Sequence, residues 1–267
     1  MNNSARIILI LAIMAISHVS CTTRRTTGGQ FANNPVIAHR GAWKTKGLPQ
    51  NSIAALHEAI RLGCAGTEFD VHLTQDDVLV VNHDADFLGI DVATSTYEEL
   101  LAKKLPNGES IPTARDYLLE GMKQQKTKLI FELKTSRLGK ERTKYSADLA
   151  VALVKELGAE QWVEYIMFDY DGAKRIIELD PDAKVWYLNG DVAPQQAKAD
   201  GFFGLDYHFT VFRDKQPTWL QEAKRLGLAV NVWTVNDRAE MVRLLDQKAE
   251  FITTDEPELL FEVLSER

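Results

Sequence analysis

Short apolar segments alternate with helix-like segments along most of this chain, and this alternation constrains the fold more than any other feature of the sequence. The apolar segments have the length of strands and lie at 36–39, 66–73, 128–134, 163–168, 184–188, 202–206, 229–234 and 250–254. Helical patterns follow them near 51–62, 113–125, 141–157, 170–179, 192–199, 217–226, 237–247 and 256–265. Eight strand–helix units predict an α/β fold, namely a TIM (β/α)8 barrel.

One long segment, 74–112, interrupts the alternation after the second strand. It holds a short apolar run at 78–81, then His83 and Asp84, and then a stretch without a clear strand pattern. Loops that follow barrel strands lie on the face where barrel enzymes keep their active sites. We therefore expect a small insertion, about 74–112, that covers a pocket on this face.

Charged side chains lie within strands that are otherwise apolar. Because side chains alternate between the two faces of a strand, Glu68 and Asp70 point the same way in the second strand. The same alternation places Glu132 and Lys134 on one face of the third strand, and His39 closes the first strand. We expect these groups to converge on one pocket.

Such a pocket suits the hydrolysis of a phosphate ester. Three buried carboxylates repel one another and lose hydration, so a hard cation with oxygen ligands, Mg²⁺ or Ca²⁺, would hold them ionised most easily. His39 and His83 can act as general base and general acid, because both protonation states of histidine are within reach near neutral pH. Arg40 and Lys134 would neutralise the phosphate oxygens.

The ordered set of motifs also resembles a known family. The chain reads HRG at 39–41, PQN at 49–51, EFD at 68–70, HD at 83–84, FELK at 131–134, VNVWTVND at 230–237 and ITTDEP at 252–257, with TYEELL and IPTARDYL between them. This order is similar to that of the glycerophosphodiester phosphodiesterases over about 36–263. The resemblance implies metal-dependent hydrolysis of glycerophosphodiesters to sn-glycerol 3-phosphate and an alcohol.

The resemblance also implies a role for each matching residue. Catalysis falls to His39 and His83, substrate and phosphate binding to Arg40, Lys134 and Trp233, and metal binding to Glu68, Asp70 and Glu132. Gln50 stands where the family has a metal-binding glutamate, so we expect it to be a neutral and weaker additional ligand.

Several readings stay open on the sequence alone. The sequence does not assign base and acid between the two histidines, choose Mg²⁺ or Ca²⁺, or choose between attack by water and attack by the glycerol 2-hydroxyl through a cyclic phosphate. It also leaves the headgroup and the oligomeric state open. One alternative is a phospholipase D-like lyase that cyclises lysophospholipids. Another, motivated by Gln50, is a phosphodiester-binding protein without turnover.

The first 21 residues are typical of a bacterial lipoprotein signal. Arg6 precedes an apolar run at 7–16, which is too short for an ordinary transmembrane helix, and Cys21 would become the lipidated first residue. We expect a flexible tether at 22–35 and one enzyme domain at 36–267. The predicted location is the cell envelope, lipid-anchored and facing the periplasm or the outside. The alternative is a plain signal peptide and a periplasmic or secreted enzyme.

Composition supports one large enzyme domain that does not bind nucleic acid. The net charge is −7 and 45% of the residues are hydrophobic, which suits a globular domain with a large core and gives no support to nucleic-acid binding. The attraction of an anionic substrate must then be local. If Cys21 is acylated, Cys64 is the one remaining thiol, so no internal disulfide is expected.

Overall fold

The computed structural model describes residues 31–267. The predicted signal segment, Cys21 and most of the tether lie outside the described residues.

Eight parallel strands form a closed barrel, which confirms the predicted fold. In chain order the strands are β1 (Val36–Ala38), β2 (Gly66–Leu73), β3 (Leu79–Val81), β4 (Asp86–Phe87), β5 (Ile90–Asp91), β6 (Lys128–Leu133), β7 (Val163–Met167), β8 (Val185–Tyr187), β9 (Gly204–His208), β10 (Ala229–Trp233) and β11 (Phe251–Thr254). Each barrel strand pairs with its neighbour in parallel from β2 through β6 to β11, and β1 closes the ring by pairing with both β11 and β2.

Helices surround the barrel. They are α1 (Ile53–Leu62), α2 (Tyr97–Leu100), α3 (Ala114–Gly121), α4 (Lys140–Leu157), α5 (Tyr170–Leu179), α6 (Pro194–Ala199), α7 (Trp219–Arg225), α8 (Arg238–Asp246) and α9 (Pro257–Ser265), with a π-helical turn at Val211–Lys215. Ser52 caps α1 through its side chain, and Gly63 ends that helix in the left-handed conformation. Within 31–267, no helix is long and apolar enough to cross a bilayer.

The insertion after the second barrel strand is present, as predicted. Strand β3 runs antiparallel to β2 and extends its hydrogen bonding beyond the barrel, while β4 and β5 form a short hairpin. The insertion has an apolar core of its own, built from Val80, Phe87, Val92, Leu100 and Ile111. The insertion is therefore a packed unit. Because β3 runs antiparallel to β2, His83, which follows β3, lies beside the carboxyl-terminal half of β2.

The sixth barrel strand lies two residues later than the sequence pattern predicts. The prediction was 202–206, whereas β9 spans Gly204–His208. Phe202 packs against Tyr187 outside the barrel, with ring centroids 5.5 Å apart, and Phe203 contacts the Trp186 ring at 5.1 Å. These two rings belong to the turn before the strand. The apolar pair therefore made the sequence pattern place the start of the strand two residues too early.

Two apolar layers divide the interior. The larger layer lies between barrel and helices, where Phe69 stacks on Tyr117 at 4.4 Å and meets Phe131 edge-on at 5.0 Å. A smaller cluster lies inside the barrel and consists of Ile37, Ala65, Ile130, Ile166, Trp186 and Leu188. Because the outer layer holds most of the buried apolar side chains, the carboxyl end of the barrel interior can carry polar groups.

A glycine in the loop after β1 fixes how that loop packs on α1. Gly41 has φ +81°, and a Cβ there would lie 2.6 Å from Ala55 Cβ and 2.7 Å from the Ala55 carbonyl carbon. Gly47, in the same loop, has φ +62° but meets nothing within 4 Å. The two glycines therefore share a backbone requirement and differ in the space around them.

We expect Gly41→Ala to cost about 1–3 kcal/mol more in the free energy of unfolding than Gly47→Ala. Both variants lose roughly 1 kcal/mol from the left-handed backbone, but only Gly41→Ala also overpacks the loop against α1. Urea unfolding of both variants measures the difference. Equal losses would show that the contact with Ala55 relaxes without cost.

Candidate active site

A pocket of about 120 Å³ opens at the carboxyl-terminal end of the barrel strands. Seven residues that the sequence singled out line it: His39, Arg40, Glu68, His83, Glu132, Lys134 and Trp233. Residues from four barrel strands and from the insertion thus meet at one place. This is the face on which barrel enzymes bind substrate.

Three carboxylates form a tight buried cluster at this pocket. Glu68 and Asp70 come from β2 and Glu132 from β6, and one oxygen of each lies within 4.8 Å of the others. Asp70 and Glu132 are register partners across the two strands, which explains why the acids meet. Among the described residues, Glu68 Oε1 is buried and has no hydrogen-bond partner. An orphaned carboxylate oxygen beside two other acids fits a hard divalent cation.

Burial makes this cluster electrostatically expensive. Burial, and then the charges of Asp70 and Glu132, raise the pKa of Glu68 well above its usual value. Burial and the charge of Asp70 raise the pKa of Glu132 to about 7, against the opposing effect of Lys134. Burial alone would also raise the pKa of Asp70, but the charges of Lys134 and His83 outweigh it and hold this pKa low. A bound cation would favour the ionised form of all three acids.

Two cationic side chains flank the acids. Lys134 Nζ lies 2.9 Å from Asp70 Oδ1 and 2.5 Å from Glu132 Oε1, and Arg40 Nε lies 3.5 Å from Asp70 Oδ2. The Arg40 backbone N–H also donates to Glu68 Oε2 at 2.9 Å. Arg40 adopts φ +56°, a left-handed conformation that is unusual for a residue other than glycine. This backbone conformation aims both the N–H and the guanidinium at the acid cluster.

His39 is held by a carboxylate that sequence analysis did not assign. Its Nδ1 lies 2.7 Å from Asp255 Oδ1, and Asp255 Oδ2 accepts a hydrogen bond from Asn236 at 2.7 Å. Burial alone would raise the pKa of Asp255, but the hydrogen bond and charge of His39 hold it below its usual value. The strand register of a closed barrel predicts this contact. Ala38 pairs with Thr254, so His39 and Asp255, which directly follow them, lie side by side.

His83 lies at the mouth of the pocket. Its Nδ1 lies 2.7 Å from Asp84 Oδ1, and the His72 ring donates from Nε2 to the His83 carbonyl at 3.0 Å. Burial lowers the pKa of His83, although the charge of Asp70 and the hydrogen bond to Asp84 oppose this effect. Both candidate catalytic histidines therefore hold a carboxylate at Nδ1 and keep Nε2 for other partners.

The segment Pro49–Asn51 contacts the site through its two polar side chains. Gln50 Oε1 accepts a hydrogen bond from Arg40 Nη1 at 2.7 Å. Asn51, to which the sequence analysis assigns no role in the site, exchanges two hydrogen bonds with Asp70: Asn51 Nδ2 donates to Oδ2 at 2.8 Å, and the Asp70 N–H donates to Asn51 Oδ1 at 3.1 Å. Asn51 therefore orients a candidate metal ligand, while Gln50 orients the arginine.

The opposite wall of the pocket is largely apolar. Trp233 donates from Nε1 to the Asp206 carbonyl at 2.8 Å, and its ring meets Phe168 edge-on at 5.6 Å. Ile166 and Leu188 complete this wall. The Asp206 side chain, also missed by sequence reasoning, reaches the pocket from β9, and burial raises its pKa to about 8.

Comparison with known proteins identifies what this arrangement is similar to. The model of the Glycerophosphoryl diester phosphodiesterase family matches residues 39–259. A glycerophosphodiester phosphodiesterase from Caldanaerobacter subterraneus subsp. tengcongensis is 28% identical over an alignment of 253 residues, and the match covers 86% of this chain and 97% of that protein.

Solved structures show the same similarity. A glycerophosphodiester phosphodiesterase from Parabacteroides distasonis is 44% identical with a TM-score of 0.85, covering 89% of this chain and 99% of that one. An Oleispira antarctica phosphodiesterase, solved with the product sn-glycerol-3-phosphate, shares the fold at 22% identity and a TM-score of 0.74, with 87% and 97% coverage.

We expect Mg²⁺ or Ca²⁺ to stabilise the protein through the acid cluster. An ion at one hundred times its dissociation constant should add about 2.7 kcal/mol to the free energy of unfolding, because it binds the folded state alone. Glu68→Gln should lose most of this gain. Glu164→Gln is the matched control, since Glu164 is a buried barrel acid outside the cluster. Chemical unfolding with and without metal measures the gain. No gain in the parent protein, or an equal gain in Glu68→Gln, would contradict the assignment.

We expect Gln50→Glu to lower the metal concentration needed for half-maximal binding, on the order of tenfold. The change adds one negative charge next to the cluster, and cation sites are tuned by the number of charged ligands. Calorimetric metal titration of the parent protein, Gln50→Glu and the neutral control Gln50→Met measures the effect. An unchanged midpoint in the Glu variant would remove position 50 from the metal site.

Proposed function

Because this chain belongs to the glycerophosphoryl diester phosphodiesterase family, we propose that it hydrolyses glycerophosphodiesters to sn-glycerol 3-phosphate and a free alcohol. The family makes it a phosphoric diester hydrolase. The observation that carries the specific proposal is the meeting of three buried acids, two carboxylate-held histidines and two cations in one pocket. Each part of that set has a task in the cleavage of a P–O bond.

The acid cluster is the proposed site of the divalent cation. Glu68, Asp70 and Glu132 would hold Mg²⁺ or Ca²⁺, and the unpartnered Glu68 oxygen supports this assignment. When bound, such an ion neutralises charge that develops on the phosphate oxygens. Gln50 accepts a hydrogen bond from Arg40 beside the acid cluster, so we propose it as an additional, neutral ligand of the cation.

The protein's own cations bind and orient the phosphate. The Arg40 guanidinium can bind two phosphate oxygens at once, and Gln50 and Asp70 fix its direction. Lys134 supplies a compact positive charge between Asp70 and Glu132. Their combined effect is a local attraction for an anion in a chain whose net charge is −7.

Two histidines move the protons. The carboxylates of Asp255 and Asp84 accept the Nδ1 protons of His39 and His83, so each ring can accept or donate at Nε2. One histidine removes the proton of the attacking group, which is water or the glycerol 2-hydroxyl, and the other protonates the leaving alcohol. If the 2-hydroxyl attacks, water must then open the cyclic phosphate to give sn-glycerol 3-phosphate. Trp233 lines the apolar wall against which the rest of the substrate packs.

The position of the chain entry favours water-soluble substrates over membrane lipids. Ala32 donates to the Lys126 carbonyl at 2.7 Å, and the Phe31 ring lies 3.7 Å from Lys128 Nζ, both at the amino end of β6. A lipid on Cys21 would attach the barrel by this end, while the pocket opens at the other. Deacylated glycerophosphodiesters can reach such a pocket more easily than lysophospholipids held in a bilayer. The signal-like segment that ends at Cys21 is the ground on which we propose a lipid-anchored enzyme of the cell envelope.

The proposed activity is tested by incubating residues 22–267 with glycerophosphocholine, glycerophosphoethanolamine and lysophosphatidylcholine. Each reaction is run with Mg²⁺, with Ca²⁺ and with a chelator, and sn-glycerol 3-phosphate and cyclic phosphate are measured. We expect sn-glycerol 3-phosphate from the first two substrates with metal only. Cyclic phosphate from the lysophospholipid would favour the lyase. Binding of substrate without any turnover would favour the non-catalytic reading.

We expect His39→Ala and His83→Ala each to lower kcat by about 10² or more, because acid and base steps are separate. Asp255→Asn should lower kcat less, since it removes orientation rather than the ring. His57→Ala is the matched control: His57 lies on α1 and contacts Glu120 outside the pocket. Steady-state kinetics and circular dichroism separate lost catalysis from lost folding. A folded His83→Ala variant with normal turnover would exclude His83 from the mechanism.

We expect Cys21 to carry lipid in the natively expressed protein. Mass spectrometry of the mature N-terminus should find an acyl mass at Cys21, and Cys21→Ser should release the protein from the membrane fraction. A cleaved N-terminus without acyl mass would instead identify a soluble periplasmic or secreted enzyme.

A further inference from the structure

Asp206 places a lone carboxyl group at the floor of the catalytic pocket. Its side chain is 1% exposed and borders both the pocket and a small cavity of about 20 Å³ beneath it. Its Oδ1 atom is buried without a hydrogen-bond partner anywhere in residues 31–267. Buried polar atoms are nearly always paired, so an orphan that borders a ligand pocket points to a partner that arrives from outside the chain.

The surroundings of Asp206 offer little to pair with it. Its register partner Asn231 already donates to Thr253 Oγ1 at 2.8 Å and accepts from the Val232 N–H at 2.9 Å. The wall above it consists of Ile166, Leu188 and the Trp233 ring. Hydrogen bonding from Asn231 lowers the pKa of Asp206 against the effect of burial, so Asn231 is its polar neighbour. The Oδ1 atom nevertheless has no partner among the described residues.

Another acid inside the barrel shows the contrast. Glu164 borders only the lower cavity, and both of its oxygens are paired: Oε1 lies 3.0 Å from Lys184 Nζ, and Oε2 accepts from Trp186 Nε1 at 3.0 Å. The fold therefore provides partners for the buried acid that does not face the pocket. It provides none for Oδ1 of the acid that does.

We propose that Asp206 accepts a hydrogen bond from a hydroxyl group of the bound glycerol moiety and so selects glycerol diesters over other phosphodiesters. This inference rests on the proposed function and deepens it. A carboxyl group accepts from a hydroxyl in either charge state, whereas an anionic phosphate is better placed on Arg40 and Lys134. The apolar wall suits the carbon atoms of the same glycerol unit.

A buried water molecule in the small cavity is the competing explanation. A cavity of about 20 Å³ has room for one water, and a carboxyl oxygen could bind it. In that case Asp206 would hold a structural water inside the barrel and would not contact the substrate. The two explanations differ in whether an effect of Asp206 depends on a substrate hydroxyl.

The test combines deletion of the side chain with deletion of each hydroxyl. Binding of sn-glycerol 3-phosphate is measured by calorimetry against the monophosphates of propane-1,2-diol and propane-1,3-diol, which each lack one hydroxyl. Turnover of the corresponding phosphocholine diesters is measured in parallel at saturating metal. The proteins are the parent chain, Asp206→Ala, Asp206→Asn and the control Glu164→Gln. Such a cycle isolates the pairwise contact from other effects of each deletion.

We expect the parent protein to bind the glycerol compound about 10- to 100-fold more tightly than one of the two analogues through this contact. Asp206→Ala should lose that preference, raising KM for the glycerol diester while kcat changes little. Asp206→Asn keeps an accepting oxygen and should retain most of the preference, and Glu164→Gln should retain all of it.

Unchanged preferences in folded Asp206→Ala would overturn the inference and favour the buried water. If Asp206→Ala does not fold, Asp206→Ser removes the reach of the side chain while keeping a polar group, and the same result is decisive. A parent chain without turnover would refute the proposed hydrolysis, but the binding cycle would still decide the role of Asp206.

Discussion

The cost of keeping three carboxylates out of water is the constraint on which the rest of this site depends. Glu68, Asp70 and Glu132 are almost fully buried within a few ångströms of one another. Lys134 and Arg40 offset part of their repulsion, but three negative groups face two positive ones. A divalent cation would reverse the local sign, so that the pocket of an acidic protein attracts an anionic diester.

Closure of the barrel converts this electrostatic arrangement into a catalytic one. His39 and Asp255 are 216 positions apart in sequence and meet because the first strand pairs with the last. His83 arrives by a different route, since β3 pairs antiparallel with β2 and leads to His83 at the pocket. The two candidate proton-transfer groups therefore depend on separate parts of the fold, while both face the acid cluster that β2 and β6 supply.

The sequence predicted the repeated strand–helix units of this protein. It could not predict the contacts that form only when distant parts of the chain meet in the closed barrel. Strand alternation and side-chain parity were enough for the barrel and for the face of Glu68 and Asp70. Asp255 was missed as a site residue because only the register of β1 and β11 in a closed barrel shows its contact with His39. Asn51 was missed because it reaches Asp70 from the loop before α1, whose path the strand pattern does not give. The aromatic pair before β9 was misplaced for the opposite reason: the local apolar pattern belongs to a turn whose two rings pack on β8.

Stability and chemistry are separated within the barrel, and the separation explains which polar residues are tolerated. The outer apolar layer between strands and helices carries most of the core, so the barrel interior needs only a small apolar cluster, whose upper members Ile166 and Leu188 reach the pocket. Polar side chains at the pocket can then serve ligand binding, because the stability of the barrel does not depend on them. Glu164 lies below the boundary and is fully paired by Lys184 and Trp186, as a structural acid should be. Asp206 lies at the boundary and has an unpaired oxygen. Burying an unpaired carboxyl oxygen destabilises the folded state, and the barrel tolerates this loss because the outer layer provides most of the stability.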